Sequence, residues 1–182
     1  MFGEVPALPV VIPVGVVVFA LLTVRLVVRR RCTLPRVAVA AALAVYAAGI
    51  LANTVFPVFL HPVASSDPKP LPLVVVPFVD YEVGDAVMNM LVFVPLGVLV
   101  SLVLARPTWW RVVVTAAAIS AGIEITQFAT AQVAAGGHIA DVNDFLWNTV
   151  GGGLGFCVVA LLMQFRRSAR VLAPFRGPEP GA

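Results

Sequence analysis

Four polar side chains recur at steps of three, three and four residues where the last long apolar run begins: His138, Asp141, Asp144 and Asn148. On a helix, this spacing places all four on one face. Three glycines extend the same face by another turn or two: Gly151, Gly152 and Gly155. Carboxylates beside an imidazole and a carboxamide could bind a cation, relay a proton or hold a polar head group. The alternative role is structural, with the amides joining helices and an aspartate capping a helix N-terminus.

Two earlier apolar runs carry polar residues at the same kind of spacing. Asp85, Asn89, Phe93 and Gly97 are separated by steps of four, which predicts one helix face. Pro95 lies within that run and is expected to bend the helix, because proline cannot donate the hydrogen bond to Leu91. The next run holds Ser120, Glu124 and Gln127 at steps of four and three. Each of the last three apolar runs therefore carries both carboxyl and amide groups.

Residue types give little support for catalysis through a nucleophile or a bound metal. No serine or cysteine stands beside a histidine, and no HExxH motif occurs among the 2 histidines. We therefore expect no cofactor and assign no metal ligands. An oxygen-rich cation site formed by His138, Asp141, Asp144 and Glu124 stays open, because such sites have no diagnostic spacing.

The composition is that of a membrane protein. Of the 182 residues, 60% are hydrophobic and only 12% are charged, with a mean hydropathy of +1.01. A soluble domain of this size would be about one quarter charged. We therefore predict an all-α, polytopic membrane helix bundle with about five transmembrane helices, each ~20 residues long. The predicted spans run roughly over Leu8–Val28, Val37–Leu60, Asp85–Ala105, Arg111–Thr130 and Asp144–Phe165.

The arginines predict the orientation of these spans. They account for eleven of the 12 Lys and Arg residues, Lys69 being the other, and they lie in three segments: Arg25–Arg36, Arg106–Arg111 and Arg166–Arg176. Loops rich in arginine stay in the cytoplasm, so we expect a plasma-membrane protein with its N-terminus outside and its C-terminus cytoplasmic. The same bias explains the pI of 9.4 without a nucleic-acid partner.

These signals divide the chain into four parts. Residues 1–60 form two transmembrane helices with a basic cytoplasmic loop, and residues 61–84 form an extracytoplasmic loop. This loop holds the proline-rich stretch Ser65–Pro70, which cannot be helical, and the apolar stretch Leu71–Phe78. We expect Leu71–Phe78 to be extended, either at the outer surface or packed over the helices. Residues 85–166 form a three-helix core. Residues 167–182 are expected to be a disordered cytoplasmic tail whose arginines touch anionic lipid heads.

The predicted orientation brings the polar residues of the last three spans to the outer half of the membrane. Short loops join these spans, so we predict that they are neighbours and form one outward-facing acidic and amide pocket. Its candidate residues are Asp85, Asn89, Glu124, Gln127, His138, Asp141, Asp144 and Asn148. Carboxylates are costly within a bilayer, and this many of them favours a functional site over packing alone.

The pattern of these residues resembles the VanZ-like family of membrane proteins. The resemblance rests on three blocks over about the last hundred residues: Asn89-x-x-x-Phe93-x-Pro95-x-Gly97, Glu124-x-x-Gln127, and Asp141-x-x-Asp144-x-x-x-Asn148-x-x-Gly151. The resemblance implies a small multi-span protein associated with resistance to glycopeptide antibiotics, teicoplanin in particular. At His138 this chain differs, because the family often has an arginine three positions before the first aspartate. A neutral histidine there would not clamp an anion as a fixed cation does.

Three functions follow as hypotheses. The first is a non-enzymatic envelope protein whose pocket interacts with membrane lipid, a lipid-linked cell-wall precursor or a lipoglycopeptide. The second is a membrane enzyme that acts on a lipid-linked substrate, with Glu124 or Asp144 as acid or base. The third is a small proton-linked transporter that uses Glu124, which the absence of an internal repeat disfavours.

Overall fold

The protein is an all-α bundle, as its composition predicts, and five of its helices are long and apolar enough to cross a membrane. A computed structural model describes residues 3–59, 73–79, 82–133, 135–136 and 139–176. The long helices are α1 (Leu8–Val28), α2 (Leu34–Val55), α3 (Val83–Val103), α4 (Trp109–Val133) and α5 (Val142–Gln164). Each has 21 to 25 residues, which is enough to span ~30 Å of hydrocarbon.

The turn between α1 and α2 follows from its hydrogen bonds. The N–H of Arg30 donates to the carbonyl of Val27, and the N–H of Arg31 donates to that of Leu26, both at 2.8 Å. This pairing is a Schellman motif, and Arg30 takes its left-handed position with φ 52°. The motif ends α1 and turns the chain back across the helix end, before α2 begins at Leu34 with Pro35 in its first turn.

Helix α5 lies between α3 and α4, and glycines allow its close approach to α3. Gly151, Gly152 and Gly155 are all buried. A Cβ atom at Gly155 would lie 2.7 Å from the backbone nitrogen of Val98 and 2.8 Å from the carbonyl carbon of Gly97. Any larger residue would therefore push the two backbones apart, as expected for small-residue interfaces in membranes.

The buried core lies where α3, α4 and α2 meet. Its largest fully buried side chains include Phe93, Leu96 and Val112. Helix α1 packs against α2 at the edge of the bundle, and Leu8, Leu21 and other apolar side chains on it are exposed. This pattern suits a bundle surrounded by lipid, in which apolar side chains face outward.

The described residues form five two-residue strands, which lie together at one end of the bundle. Strand β2 (Val58–Phe59) pairs in antiparallel fashion with β1 (Glu4–Val5) and with β4 (Ala135–Gly136). Strand β3 (Leu73–Val74) pairs in parallel with β5 (Ala140–Asp141), directly before α5. The extended conformation predicted within Leu71–Phe78 is thus present at β3. The predicted stretch Ser65–Pro70 lies outside the described residues.

The two ends of the bundle differ in charge. Asp85, Asp141 and Asp144 lie at the end that carries the strands, which we call the acidic end. The arginines lie at the opposite end, the arginine end. Within the tail predicted to be disordered, residues 167–175 are helical and belong to α6 (Arg166–Leu172) and to a 3-10 turn (Ala173–Phe175). The guanidinium of Arg36 fixes this tail by donating a 3.0 Å hydrogen bond to the carbonyl of Arg176.

Candidate functional site

The site begins at Asp141, which caps the N-terminus of α5. Its carboxylate accepts hydrogen bonds from the backbone N–H of Asn143 at 2.7 Å and from the Asn143 side-chain amide at 2.9 Å. Its own backbone N–H donates to Oε2 of Glu124 on α4 at 2.8 Å. A helix N-terminus favours negative charge, so this is a stable position for a carboxylate. Asp141 therefore links α5 to α4.

Asn143 is a site residue that the sequence pattern did not indicate. It is 2% exposed, and its Oδ1 accepts a 2.8 Å hydrogen bond from the backbone N–H of Phe78. Asn143 thus holds the segment after β3 against the start of α5. An asparagine two residues after a capping aspartate is a weak signal, because both residues are common at helix starts.

A second polar contact joins α3 to α5. The amide nitrogen of Asn89 donates a hydrogen bond to Oδ1 of Asp144. Both residues are among those predicted to form one outward-facing pocket, and the structure brings these two into contact.

A polar cleft of about 270 Å³ opens beside these residues at the acidic end. The cleft is lined by Glu82, Asp85, Ala86, Asp141, Asn143, Asp144 and Trp147. The indole N–H of Trp147 is buried and has no hydrogen-bond partner among the described residues. The carboxylates offer acceptors, so the cleft suits a ligand with hydroxyl or ammonium groups.

Glu124 does not line that cleft. It lies in an apolar lateral groove of about 380 Å³ between α4, α5 and β3, whose walls include Val74, Ile125 and Phe145. Asp141 lines both this lateral groove and the polar cleft. The predicted single pocket is thus two adjoining cavities, because Glu124 lies on the far side of the α5 N-terminus from Asp144.

Two predicted amides lie in the packed interior instead. The Asn148 amide donates to Oγ of Ser120 at 3.0 Å, and both residues are buried. The Gln127 amide donates to the backbone carbonyl of Thr54 on α2 at 2.7 Å. These contacts join α5 to α4 and α4 to α2, so the structural role of these amides accounts for their positions.

The predicted helix face from His138 to Asn148 is wrong at its start. Helix α5 begins at Val142, and Asp141 precedes it in the extended conformation, with φ −128° and ψ 126°. Asp144 and Asn148 do share a face of α5. His138 lies outside the described residues. The error has a physical cause. Asp141 caps the helix and lies three residues before Asp144, which is the same spacing that two residues on one helix face would have.

The remaining motif residues are structural in position. Phe93 is 1% exposed in the core, and Gly97 faces the backbone of Gly152. Pro95 is exposed on α3, which continues through it as a helix. Near this proline, the Tyr46 hydroxyl donates a 2.8 Å hydrogen bond to the carbonyl of Val92.

The carboxylates of the site are neighbours without forming a metal centre. Within the described residues, no three His, Cys, Asp or Glu side chains converge closely enough to hold a metal ion. What the arrangement offers is a set of hydrogen-bond acceptors at the level where a span meets the membrane surface.

Comparison with known proteins identifies a family over most of the chain. The model of the VanZ/LLP1 family matches residues 43–163, which include the polar cleft, the lateral groove and the glycine contacts. No curated protein and no solved structure matches the chain. The matched segment covers α3 and α4 in full, all of α5 except its last residue, and more than half of α2, and on that evidence this multi-pass membrane protein belongs to the VanZ/LLP1 family.

Proposed function

We propose that the protein binds the polar head of a lipid-linked cell-wall precursor at the acidic end, and thereby contributes to glycopeptide resistance. The observation that carries this proposal is that the polar cleft and the lateral groove meet at Asp141. A ligand that spans both cavities has a hydrogen-bonding head and an apolar chain. A lipid-linked saccharide has that form.

The chemistry of the cleft narrows the class of head group. Glu82, Asp85 and Asp144 bring negative charge, which disfavours a bare phosphate and favours hydroxyls or ammonium groups. The ring of Trp147 in the wall adds an apolar surface. Sugar rings and amino-acid side chains that carry amines meet these requirements, whereas the phosphate of a carrier lipid alone does not.

The lateral groove suits the first part of an apolar chain. Val74, Ile125 and Phe145 line it, and Ile125 is 68% exposed on the surface that faces lipid. A chain lying there would stay in contact with the bilayer. The proposed orientation, with the acidic end outside, would give the cleft access to precursors and antibiotics on the outer surface.

An enzymatic function has less support. Glu124 and Asp144 line different cavities, so one small reacting group does not contact both of them. Glu124 also accepts a hydrogen bond from the backbone N–H of Asp141, so one of the two oxygens of Glu124 already serves to hold the start of α5.

Binding is tested with the purified protein in lipid nanodiscs, by native mass spectrometry. The probes are undecaprenyl-linked disaccharide-pentapeptide and undecaprenyl phosphate. We expect the first to bind and the second to bind at least tenfold more weakly. Equal binding of both lipids would overturn the assignment of the head group.

Variants then locate the binding site. Glu82→Gln combined with Asp85→Asn removes two exposed charges from the cleft and should weaken binding. The matched control is Arg166→Gln combined with Arg167→Gln, which changes two exposed charges at the opposite end. Equal binding by both double variants would show that the cleft is not the site.

A separate experiment tests resistance. The teicoplanin susceptibility of a harmless laboratory strain is measured with and without the protein. An unchanged susceptibility would refute the role in resistance and leave the binding proposal as it is.

A further inference from the structure

We propose a second site, at the arginine end, that binds a phospholipid with an anionic head group. The site combines an arginine-lined cleft with a long apolar groove inside the bundle. It shares no residue with the polar cleft or the lateral groove, so it stands independently of the proposed function.

The head-group part is a cleft where the α1–α2 turn meets the tail. Four arginines line it, together with Phe175 of the 3-10 turn: Arg25, Arg29, Arg31 and Arg36. The Schellman motif at the end of α1 turns Arg31 back toward Arg25 and Arg29. Residues of α2 and α3 supply most of the remaining wall, and the folded tail adds Phe175.

Among the described residues, no acidic side chain pairs with the arginines of this cleft. The guanidinium of Arg36 donates to the carbonyls of Arg176 at 3.0 Å and Arg31 at 3.3 Å. These acceptors are neutral, and none of the four arginines forms an ion pair within the part of the chain that the structure describes. A guanidinium has five N–H donors, so Arg36 keeps donors for an anion. Phosphate is the group that planar guanidinium donors bind best among lipid head groups.

The acyl-chain part is an apolar groove of about 480 Å³ between α1 and α2 on one side and α3 and α4 on the other. It meets the arginine cleft at Leu22 and Val103, which line both. The two threonines in its wall, Thr115 and Thr126, donate their hydroxyls to carbonyls of their own helix. The groove therefore presents an apolar surface throughout.

The groove runs along the axis of α1. Val14, Val18 and Leu22 line it at steps of four on α1, and the same face of α1 continues to Leu26 and Arg29. From Val14 to Leu22 the rise is about 12 Å, close to half of the ~30 Å hydrocarbon core. A lipid whose phosphate lies among the arginines would thus place one acyl chain along the groove.

The test uses the full-length protein in detergent, where orientation plays no part. Native mass spectrometry compares retention of phosphatidylglycerol with that of phosphatidylcholine carrying the same chains. We expect about a tenfold preference for phosphatidylglycerol, because the two lipids differ in the head group that meets the arginines. Soluble glycerol phosphate, which lacks chains, should not displace the lipid. Equal retention of the two lipids, or displacement by glycerol phosphate at an equal concentration, would overturn the proposal.

Two pairs of variants separate the halves of the site. Arg25→Gln combined with Arg29→Gln removes exposed charges from the cleft and should abolish the preference. Its control, Arg166→Gln combined with Arg170→Gln, should keep the preference. A cleft variant that keeps the full preference would refute the head-group site.

Gly122→Leu tests the acyl groove. A side chain at Gly122 meets no heavy atom within 4 Å and would project into the groove, so it should fill the space without disturbing the fold. Gly49→Leu is its control, because that position is equally open but faces the opposite side of α2, toward a different apolar surface. Equal lipid retention by Gly122→Leu and Gly49→Leu, with melting temperatures like that of the wild type, would refute the groove.

Discussion

Replacing Asp141 by alanine should destabilise the protein more than any other single change at the acidic end. The carboxylate caps α5, and loss of such a cap costs about 0.5–2 kcal/mol. It also accepts from the side-chain amide of buried Asn143, and an unsatisfied buried donor costs about 1–3 kcal/mol. The two losses share one residue and are not strictly additive, so we expect a fall of about 2–4 kcal/mol in the free energy of unfolding.

The assay is reversible unfolding in mixed micelles with increasing sodium dodecyl sulfate. Asp141→Asn provides the matched variant, because its carbonyl oxygen still accepts both hydrogen bonds while the charge is lost. We expect Asp141→Asn to recover most of the stability. Asp85→Ala is the second control, since Asp85 is exposed in the polar cleft, and it should change stability by less than about 0.5 kcal/mol. If Asp141→Ala unfolds like Asp85→Ala, the cap and its link to Asn143 do not hold the site together.

Three further predictions follow from the helix contacts and the orientation. Gly151→Ala should lower the free energy of unfolding by about 1–3 kcal/mol, because the new Cβ would lie 2.9 Å from that of Phe93. Gly122→Ala is its control, because a Cβ there meets open space, and it should leave the free energy of unfolding unchanged or raise it in the same assay. Asn148→Ala should cost about 1–3 kcal/mol by leaving the buried hydroxyl of Ser120 without its partner, and Ser120→Ala made together with it should recover part of that loss. Cys32 is exposed at the α1–α2 turn, which the proposed orientation places in the cytoplasm. A membrane-impermeant maleimide should therefore label it only after the cells are opened. Labelling of intact cells would show that the orientation is the opposite one.

The spans were predictable because length and hydropathy alone decide them. The predicted starts of α3, α4 and α5 lie two residues from the observed ones, and the first span matches α1 at both ends. The contact between Asn89 and Asp144 was also predictable, since each occupies the polar face of its own helix. The close contact of Gly151 and Gly155 with α3 was predictable too, because small residues mark where helices meet in a membrane.

Other features of the site depend on contacts between distant parts of the chain. The pairing of β3 with β5 and the bond from Phe78 to Asn143 join residues 65 or more positions apart, and no local pattern encodes them. The division into two cavities depends on which side of the α5 N-terminus Glu124 approaches. The folding of the tail was missed because its basic composition resembles that of a disordered segment, while its anchor, Arg36, lies 140 residues earlier.

Fluorescence of Trp147 tests the central claim most directly, because this residue lines the polar cleft. The other tryptophans of the chain, Trp109 and Trp110, are exposed at the arginine end and can be replaced by phenylalanine. In that background, we predict that undecaprenyl-linked disaccharide-pentapeptide causes a saturable shift of Trp147 emission, and that undecaprenyl phosphate at the same concentration does not. An emission spectrum unchanged by the saccharide-bearing lipid, or shifted equally by both lipids, would contradict binding of the head group in the cleft.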